Sequence, residues 1–448
     1  MTRAEARPME FAARGPLKGS LALAGDKSIS HRALMLSALA LGRSRIANLS
    51  EGSDIHSTAA ALRAMGARIE RVEDGAWEVD GVGLGGLLQP QAAFDMGNSG
   101  TSARLLMGLV STHAISATFT GDASLSRRPM DRVIAPLRRS GARIAAAQGG
   151  RLPLTVTGTC PAFPLSHRLE IASAQVKSAL LLAALNTPGV TQIVAPVPTR
   201  DHSERMLKLF GADIQVEGSG GGERRILLRG EADLSPQRME VPGDTSSAAF
   251  LAVAALIVPG SDITLTGIAA NPMRTGLFEL LREMGGDLAF SNRRELGGEP
   301  VADLRVRHSA LGAIDVPPEL VPATIDEFPI FFIAAAFAEG RSRALGLAEL
   351  RVKESDRITA MAAGLRAIGA RVEESHDGLI IDGSGGGFLP GGGRTASQMD
   401  HRIAMSFAVA GLACLEPVTV DDMSPVATSF PGFTAALEAL SPQAARAA

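Results

Sequence analysis

The chain repeats one pattern of helix, glycine and strand, and this repetition limits the folds that are open to it. Five segments end a helical pattern in nearly the same way, as LRAMGARI, LRRSGARI, LKLFGADI, LREMGGDL and LRAIGARV. Each pattern predicts an amphipathic helix that a glycine terminates before a strand begins. The terminating glycines are Gly66, Gly141, Gly211, Gly285 and Gly369.

A second signal recurs in step with the first. Each of six small, apolar helical patterns is preceded by a residue whose side-chain oxygen can cap a helix N-terminus. These residues are Asp26, Asn98, Ser173, Asp244, Asp326 and Asp400. The helices that follow are apolar on nearly all sides, so we expect them to be buried. Each repeat is therefore predicted to be a capped buried helix, a strand, an exposed helix, a glycine stop and further strands.

The repeats predict an α/β fold with two similar domains, each built from three units with buried helices and outer sheets. Six copies of about 75 residues account for the chain, and the sixth is truncated at residues 433–440. We place the domain boundary after the glycine-rich stretch 218–222, at the turn Val241-Pro242-Gly243. The first domain is predicted to cover 21–241 and the second 242–440. The tail 441–448 is expected to be frayed.

Composition excludes several classes of protein. Apolar residues make up 46% of the 448 residues and charged residues 20%, which is typical of a globular chain and not of a disordered one. The formal net charge of −3 and the 4% aromatic content do not favour nucleic-acid binding. The longest purely apolar run, 248–258, is too short to span a bilayer. Two distant cysteines and the lack of an apolar leader favour a cytoplasmic protein.

Positive side chains gather at the starts of several buried helices. A helix N-terminus offers free N–H groups and partial positive charge, so added cations make these starts candidate anion sites. The cations are Lys27 with Arg32, Arg104, Lys177 and Arg402. GDKSISHR (25–32) lacks the spacing of a Walker motif, and a solvated helix cap explains it about equally well. The fourth start, GDTSSAAF (243–250), carries no cation and is predicted to be purely structural.

The segment LRVKESDRI (350–358) and the acidic residue before the fifth buried helix are candidates for chemistry. Lys353 and Arg357 are spaced to share one helix face, where two like charges favour an anionic ligand. A surface helix with salt bridges to Asp356 is the alternative. Asp326 precedes an almost wholly apolar helix, where desolvation would raise the pKa of a carboxyl group. A plain helix cap is the alternative there.

Taken together, these segments closely resemble the 5-enolpyruvylshikimate-3-phosphate (EPSP) synthase family. The resemblance runs from about residue 15 to residue 433. It rests on GDKSISHR, GNSGTSAR, SRRPM, SAQVKSALLLA, TRDHSERM, PGDTSSAAF, IDEFP, LRVKESDR and DHRIAMS in this order. It implies the inverse α/β barrel fold of enolpyruvyl transferases, with residues 1–20 packed in the second domain. It also implies the transfer of an enolpyruvyl group from phosphoenolpyruvate to the 5-hydroxyl of shikimate 3-phosphate, with release of phosphate.

The family's functional residues map onto matching positions of this chain. The resemblance implies that shikimate 3-phosphate is bound by Lys27, Ser28, Arg32, Ser173, Ala174, Gln175, Arg200, Asp326 and Lys353. It implies that phosphoenolpyruvate is bound by Lys27, Gly100, Arg128, Gln175, Arg357 and Arg402. Asp326 is the implied general base for the 5-hydroxyl, Glu354 the implied acid and base at the methylene carbon, and Lys27 a third catalytic residue. No metal and no cofactor is implied.

The partners implied are these two small molecules, with no nucleic acid, no membrane and a monomeric chain. One alternative is the sister enolpyruvyl transferase that acts on UDP-N-acetylglucosamine and usually needs a loop cysteine. Neither Cys160 nor Cys414 stands in a fitting place. A second alternative is a non-catalytic protein that binds polyanions, but it would not need the pair Asp326 and Glu354.

Overall fold

The computed structural model describes residues 6–218 and 222–441 of the chain, so most of the tail predicted to be frayed lies outside the described residues. The helices are α1 (Lys27–Leu39), α2 (Ser53–Ala64), α3 (Gly100–Ser111), α4 (Asp131–Arg139), α5 (Ala174–Leu185), α6 (His202–Leu209), α7 (Thr245–Ile257), α8 (Gly276–Glu283), α9 (Val321–Thr324), α10 (Phe328–Phe337), α11 (Arg357–Ala367), α12 (His401–Gly411) and α13 (Phe433–Leu440).

Short strands connect these helices throughout the chain. They are β1 (Met9–Phe11), β2 (Lys18–Ala22), β3 (Leu41–Ala47), β4 (Arg68–Arg71), β5 (Trp77–Val82), β6 (Phe94–Asp95), β7 (Ser116–Thr120), β8 (Arg143–Ala147), β9 (Arg151–Thr157), β10 (Ser166–Arg168), β11 (Val190–Ala195), β12 (Asp213–Glu217), β13 (Arg224–Arg229), β14 (Arg238–Glu240), β15 (Asp262–Ala269), β16 (Asp287–Leu296), β17 (Glu299–Arg307), β18 (Arg341–Ala344), β19 (Arg371–Ser375), β20 (Gly378–Asp382), β21 (Leu389–Gly391), β22 (Arg394–Thr395), β23 (Cys414–Glu416) and β24 (Val418–Val420).

The repeated glycine stops are present as predicted. Helices α2, α4, α6, α8 and α11 each end two residues before a glycine with φ between 86° and 106°. A residue with a side chain is strained in this left-handed region, whereas glycine is not. A strand follows each glycine, namely β4, β8, β12, β16 and β19. The repeat read from the sequence is therefore confirmed in the backbone.

The chain divides into two compact units. The first unit comprises Gly25–Pro242 and Glu295–Glu299; within the described residues, the second comprises 6–24, Gly243–Arg294 and 300–441. The first unit contains three four-stranded sheets with the same plan, in the orders β14-β3-β5-β4, β6-β7-β9-β8 and β10-β11-β13-β12. In each sheet the strand named first, which is β14, β6 or β10, pairs in parallel with its neighbour. The remaining pairs are antiparallel.

Helices α1, α3 and α5 are the buried helices of the first unit. Their side chains beyond the first turn are almost all buried, as the apolar patterns predict. Gly108 on α3 explains how closely two of them pack. A β-carbon at this position would stand 2.1 Å from the carbonyl oxygen of Ala179 on α5. Only glycine fits at this helix contact.

The second unit is also built around three buried helices, α7, α10 and α12, whose side chains are almost all buried. Its sheets have the orders β16-β17-β15-β2, β18-β20-β19, β1-β24-β22 and β21-β23. The N-terminal strands belong here, since β1 pairs with β24 and β2 pairs with β15. The rings of Phe328, Phe331 and Phe332 pack against one another in the core.

Four of the six predicted helix caps are correct. The side chains of Asp26, Ser173, Asp244 and Asp400 accept hydrogen bonds from backbone N–H groups in the first turns of α1, α5, α7 and α12. The other two predictions are wrong by one residue. Ser99, not Asn98, caps α3, and the residue before α10 is Glu327, not Asp326. Both displaced residues contact arginines instead, as described below.

No single helix within the described ranges is both long and apolar enough to cross a membrane. The segments Pro318–Thr324 and Phe328–Phe337 reach that length and composition only as a pair bent by 120°.

Candidate active site

Two of the predicted substrate-binding residues, Lys27 and Arg32, lie on α1 near its start. The Nζ of Lys27 lies 2.5 Å from Oδ2 of Asp54, which stands in the first turn of α2. Arg32, one turn further along α1, is buried and donates to the hydroxyl groups of Ser178 and Ser203, at 2.6 and 2.7 Å. The carbonyl group of Ser28 accepts a third hydrogen bond from Arg32. Both cations are therefore held in fixed positions by protein groups.

Burial governs the ionisation of two side chains on α1. It lowers the pKa of the Arg32 guanidinium to about 10, although the carboxylates of Glu204 and Asp26 act in the opposite direction. Arg32 is still charged at neutral pH. His31 is fully buried, and desolvation together with the charges of Lys27 and Arg32 lowers its pKa well below 6.5. His31 is therefore neutral at pH 7, where its Nδ1 lies 2.8 Å from Thr58 Oγ1.

The start of α3 places Gly100 beside two arginines. A β-carbon on Gly100 would lie 2.7 Å from Nη1 of Arg104 and 3.1 Å from Nη1 of Arg128. The Nη2 of Arg128 donates to Asn98 Oδ1 at 2.7 Å and to Ser124 Oγ at 3.1 Å. Asn98 is drawn to this arginine and does not cap the helix. Because Gly100 has no side chain, the guanidinium groups of Arg104 and Arg128 can both lie close to its backbone.

Gln175 on α5 is anchored to α3. Its Oε1 accepts from Arg104 Nη1 at 2.9 Å, and its Nε2 donates to Thr101 Oγ1 at 3.0 Å. Arg104 therefore contacts two predicted substrate-binding residues: it lies beside Gly100 and donates a hydrogen bond to Gln175. The sequence marked Arg104 only as one of several cations at helix starts.

Lys177, also on α5, has a different role from the one its position suggested. Its Nζ lies 2.5 Å from Glu204 Oε1, 2.9 Å from the carbonyl oxygen of Arg200 and 3.5 Å from that of Thr199. An ammonium group has three hydrogens, and here three protein oxygens surround it. The interpretation of Lys177 as a ligand-facing cation is therefore wrong. It secures the backbone that carries Arg200.

The second unit contains a cluster of charges around Arg357, whose side chain is 1% exposed. Its Nε lies 2.8 Å from Asp400 Oδ2, its Nη2 lies 2.7 Å from Glu354 Oε2, and its Nη1 lies 3.5 Å from Asp326 Oδ1. Lys353 Nζ lies 3.1 Å from the same oxygen of Asp326. The two predicted catalytic carboxylates therefore share one guanidinium group.

The predicted shared helix face of Lys353 and Arg357 is wrong. Lys353 follows the short 3-10 helix Ala348–Val352, and Arg357 begins α11, where Asp356 is the cap. The break in the helix allows both cations to reach Asp326 from different directions. Asp326 therefore contacts cations and does not cap α10, whose second residue is Pro329.

Opposing effects set the pKa values at the buried pair of this cluster. Burial alone would lower the pKa of Arg357, but the charges of Asp400, Glu354 and Asp326 raise it above its ordinary value. Burial alone would raise the pKa of Asp400, but the charge and hydrogen bonds of Arg357 lower it below its ordinary value. The pair is therefore ionised at neutral pH.

Arg402 in the first turn of α12 is held by three groups. Its Nη1 donates to the carbonyl oxygen of Asp326 at 2.7 Å and to Glu327 Oε1 at 3.0 Å, and its Nη2 donates to Ser246 Oγ at 3.1 Å. Ser246 belongs to the helix start that carries no cation. The prediction that this helix start is purely structural is wrong, because Ser246 accepts a hydrogen bond from Arg402, a predicted substrate-binding residue.

The predicted site residues fall into two groups, one in each unit. In the first unit these residues are Lys27, Ser28, Arg32, Gly100, Arg128, Ser173, Ala174, Gln175 and Arg200. In the second unit they are Asp326, Lys353, Glu354, Arg357 and Arg402. The sequence reasoning missed the residues that hold these side chains directly, or that hold the backbone of Arg200 through Lys177, namely Asp54, Ser178, Ser203, Glu204, Ser246 and Glu327. The only sequence signal among them is Glu327, a second carboxylate directly before an apolar helix.

Comparison with known proteins decides the family. A model of the family EPSP synthase (3-phosphoshikimate 1-carboxyvinyltransferase) matches residues 11–437. A protein of Sphingopyxis alaskensis named 3-phosphoshikimate 1-carboxyvinyltransferase is 64% identical over 444 residues, which are 98% of this chain and 100% of that protein. One of the same name from Novosphingobium aromaticivorans is 62% identical over 96% of this chain and 99% of its own length.

The chain belongs to the EPSP synthase family. Among solved structures, EPSP synthase from Acinetobacter baumannii is 44% identical and superposes with a TM-score of 0.85, covering 97% of this chain and 98% of that one. The enolpyruvyl transferase NikO from Streptomyces tendae gives a TM-score of 0.76 at 19% identity, again over 97% of this chain and 98% of its own. The latter likeness concerns the fold alone. The predicted family and the enolpyruvyl transferase fold are both confirmed.

Proposed function

We propose that this member of the EPSP synthase family transfers the enolpyruvyl group of phosphoenolpyruvate to the 5-hydroxyl of shikimate 3-phosphate. The products are 5-enolpyruvylshikimate 3-phosphate and inorganic phosphate. The observation that carries this proposal is the sharing of Arg357 by Asp326 and Glu354. Two partly exposed carboxylates held beside a buried cation suit a reaction that moves two protons next to an anionic substrate.

In the addition step, the 5-hydroxyl oxygen bonds to the central carbon of phosphoenolpyruvate. Asp326 accepts the hydroxyl proton, and Glu354, once it has taken up a proton from solvent, gives that proton to the methylene carbon, which becomes a methyl group. In the elimination step, the bond from the central carbon to the phosphate oxygen breaks. Glu354 takes back a proton from the methyl group and returns it to solvent, and phosphate leaves with the proton that Asp326 accepted from the hydroxyl group. Glu354 therefore returns to its starting state after each turnover.

Lysine and arginine side chains supply the charge that binds the two polyanions. We assign shikimate 3-phosphate to the set formed by Lys27, Ser28, Arg32, Ser173, Ala174, Gln175, Arg200, Asp326 and Lys353. We assign phosphoenolpyruvate to the set formed by Lys27, Gly100, Arg128, Gln175, Arg357 and Arg402. Planar guanidinium groups bind carboxylate and phosphate through paired hydrogen bonds, which favours arginine at these positions. Lys27, which is held by Asp54, is assigned to both substrates and to catalysis.

The arrangement of these cations also supports charge stabilisation in the transition state. Arg32 and Arg357 are buried and held by several hydrogen bonds, so they need little reorganisation when charge develops on a substrate. In the described part of the chain, no group of three histidine, cysteine, aspartate or glutamate side chains could hold a metal ion.

The sister reaction on UDP-N-acetylglucosamine is not favoured. Cys414 is buried, and burial raises the pKa of its thiol to about 12. A thiol in this state is a poor acid or nucleophile at neutral pH. Cys160 is exposed, in the segment between β9 and β10. The proposed monomeric state, cytoplasmic location and lack of nucleic-acid partners stay predictions.

A phosphate-release assay tests the proposed function. The wild-type chain is mixed with phosphoenolpyruvate and shikimate 3-phosphate, and then with each substrate alone. Phosphate release that needs both substrates is the expected result. UDP-N-acetylglucosamine in place of shikimate 3-phosphate serves as the comparison, with no release expected. Release with the nucleotide sugar, or no release with any combination, would contradict the proposal.

A further inference from the structure

A buried polar cluster in the second unit holds Arg402 by one edge of its guanidinium group. We define the Ser246 cluster as Ser246, Arg274, Glu327 and Arg402. Ser246 and Arg274 are buried, and the side chain of Glu327 is 1% exposed. Burial of the two charged side chains of Arg274 and Glu327 is costly unless each is paired, so the arrangement of this cluster calls for an explanation.

The hydroxyl group of Ser246 is the centre of the cluster. Its oxygen accepts from Arg274 Nη2 at 2.7 Å and from Arg402 Nη2 at 3.1 Å, and it donates to Glu327 Oε1 at 2.6 Å. A serine hydroxyl has two acceptor positions and one hydrogen. All three are therefore used. The two arginines leave only Glu327 as the acceptor for the hydroxyl hydrogen, so the direction of that hydrogen is determined.

Glu327 connects the serine to Arg402 a second time. Its Oε1 also accepts from Arg402 Nη1 at 3.0 Å. The negative charge of Glu327 offsets the repulsion between two arginines that share one hydroxyl oxygen. A neutral or missing side chain at position 327 would leave these two positive charges close together without compensation.

These bonds determine which edge of Arg402 stays available. Both hydrogens of Nη1 are used, one by the carbonyl oxygen of Asp326 and one by Glu327. One hydrogen of Nη2 is used by Ser246. The other hydrogen of Nη2 and the hydrogen of Nε form the second paired edge of a guanidinium group, and in the described part of the chain neither has a protein acceptor. That edge has the geometry of a bidentate contact to a carboxylate or phosphate.

We infer that Ser246 and Glu327 are positioning residues that turn the Nε and Nη2 edge of Arg402 toward phosphoenolpyruvate. The inference rests on the proposed function, in which Arg402 binds this substrate. Arg274 completes the cluster by occupying the second acceptor position of Ser246. Neither Ser246 nor Glu327 is inferred to touch the substrate. Their hydrogen bonds prevent the guanidinium group of Arg402 from rotating its Nε and Nη2 edge away from the substrate.

The test is a set of variants compared in steady-state kinetics. Ser246→Ala removes the shared hydroxyl and should raise the KM for phosphoenolpyruvate about 10-fold, the size expected for a lost hydrogen bond to a charged group. The KM for shikimate 3-phosphate should change less than about twofold, because Arg402 is not assigned to that substrate. Ser247→Ala is the matched control. It makes the same chemical change one residue later on α7, where the side chain has no hydrogen bond to Arg402.

Position 327 gives a second, independent set of variants. Glu327→Gln keeps an acceptor oxygen for Ser246 and Arg402, whereas Glu327→Ala removes it. We expect the KM for phosphoenolpyruvate to rise more in Glu327→Ala than in Glu327→Gln. Thermal denaturation of each variant, with the substrates absent, identifies any that fail to fold.

The outcomes separate this inference from the proposed function. A wild-type chain that releases no phosphate would overturn the proposed function and this inference with it. An active wild-type chain whose Ser246→Ala and Glu327→Ala variants change both KM values equally, or neither, would overturn this inference alone. A selective rise for phosphoenolpyruvate in both variants, with Ser247→Ala unchanged, would support it.

Discussion

The guanidinium of Arg357 and the carboxylate of Asp400 lie 2.8 Å apart, and both side chains are almost wholly buried. Asp400 also accepts from the backbone N–H of Arg402, so one carboxylate supports two arginines assigned to phosphoenolpyruvate. The asparagine variant Asp400→Asn keeps the size of the side chain and its cap but removes its charge. Arg357 would then lack the most deeply buried of its three carboxylate partners.

We expect Asp400→Asn to lower the free energy of unfolding by about 3–5 kcal/mol, the cost of breaking a buried ion pair from one side. Chemical denaturation at pH 7 measures this change. Asp382→Asn, at an exposed ion pair with Arg341 on a strand edge, is the control and should cost less than about 1 kcal/mol. Equal losses in the two variants would contradict the role of burial at Asp400.

Much of the fold could be predicted because the repeat is written in residue types with strict local effects. Glycine at the end of an exposed helix and serine or aspartate at the start of a buried one act within a few residues. Gly66 and Ser173 are examples, and both predictions are confirmed. The prediction failed at Asp326, because its side chain is drawn to Lys353 and Arg357, which follow it by 27 and 31 residues.

The candidate site was predictable only in part for a similar reason. Its charged ligands stand in short motifs, but the groups that hold them come from other helices. Ser178 and Ser203 hold Arg32, yet nothing in their local sequence distinguishes them from other serines on a helix. Lys177 looks like a ligand from its position, and only the three oxygens around it reveal that it is occupied.

The buried pair of Lys177 and Glu204 gives a prediction about stability and substrate binding together. Lys177→Met leaves Glu204 as an uncompensated buried charge and should cost about 3–5 kcal/mol in the free energy of unfolding. The double variant Lys177→Met/Glu204→Leu should regain most of that stability. In both variants the KM for shikimate 3-phosphate should be higher than in the wild type, because the carbonyl oxygens of Thr199 and Arg200 lack their donor. A double variant no more stable than the single one would contradict this account.

The buried His31 makes stability depend on pH. Its pKa in the folded protein is well below 6.5, whereas in the unfolded chain it is about 6.5. The unfolded state therefore binds the extra proton first as the pH falls below about 6.5, and stability decreases by at most about 1.4 kcal/mol per pH unit from this group. Above about pH 7 the group has no such effect.

We expect His31→Gln to lose less stability than the wild type between pH 7.5 and pH 5.5. Denaturation midpoints at the two pH values measure the difference. His308→Gln, at an exposed histidine, should behave like the wild type. Identical losses in wild type and His31→Gln would show that His31 is not the group responsible.

Gly100 is expected to determine the response to glyphosate, the herbicide that the resemblance to the EPSP synthase family implies would act at the phosphoenolpyruvate subsite. In Gly100→Ala the new methyl group would stand 2.7 Å from Arg104 Nη1 and 3.1 Å from Arg128 Nη1, so both guanidinium groups must shift. We expect the wild type to be inhibited by glyphosate. Because glyphosate is longer than phosphoenolpyruvate, the inhibition constant should rise by a larger factor than the KM for phosphoenolpyruvate.

Inhibition constants and KM values of the two proteins test this expectation. Gly432→Ala is the control, since a β-carbon there meets no atom within 4 Å. It should leave both constants unchanged. Equal factors in Gly100→Ala would mean that the methyl group does not discriminate between the two molecules.

The central claim is that Asp326 and Glu354 move protons in the reaction. The measurement that tests it most directly is the turnover number and substrate affinity of Asp326→Asn and Glu354→Gln, with Glu339→Gln at an exposed position as the control. We expect kcat to fall by about 10²–10⁴-fold in each site variant, the usual contribution of a general acid or base. Binding of shikimate 3-phosphate, measured by calorimetry, should change far less. If affinity collapses while kcat is retained, the two carboxylates are binding residues and the proposed mechanism is wrong.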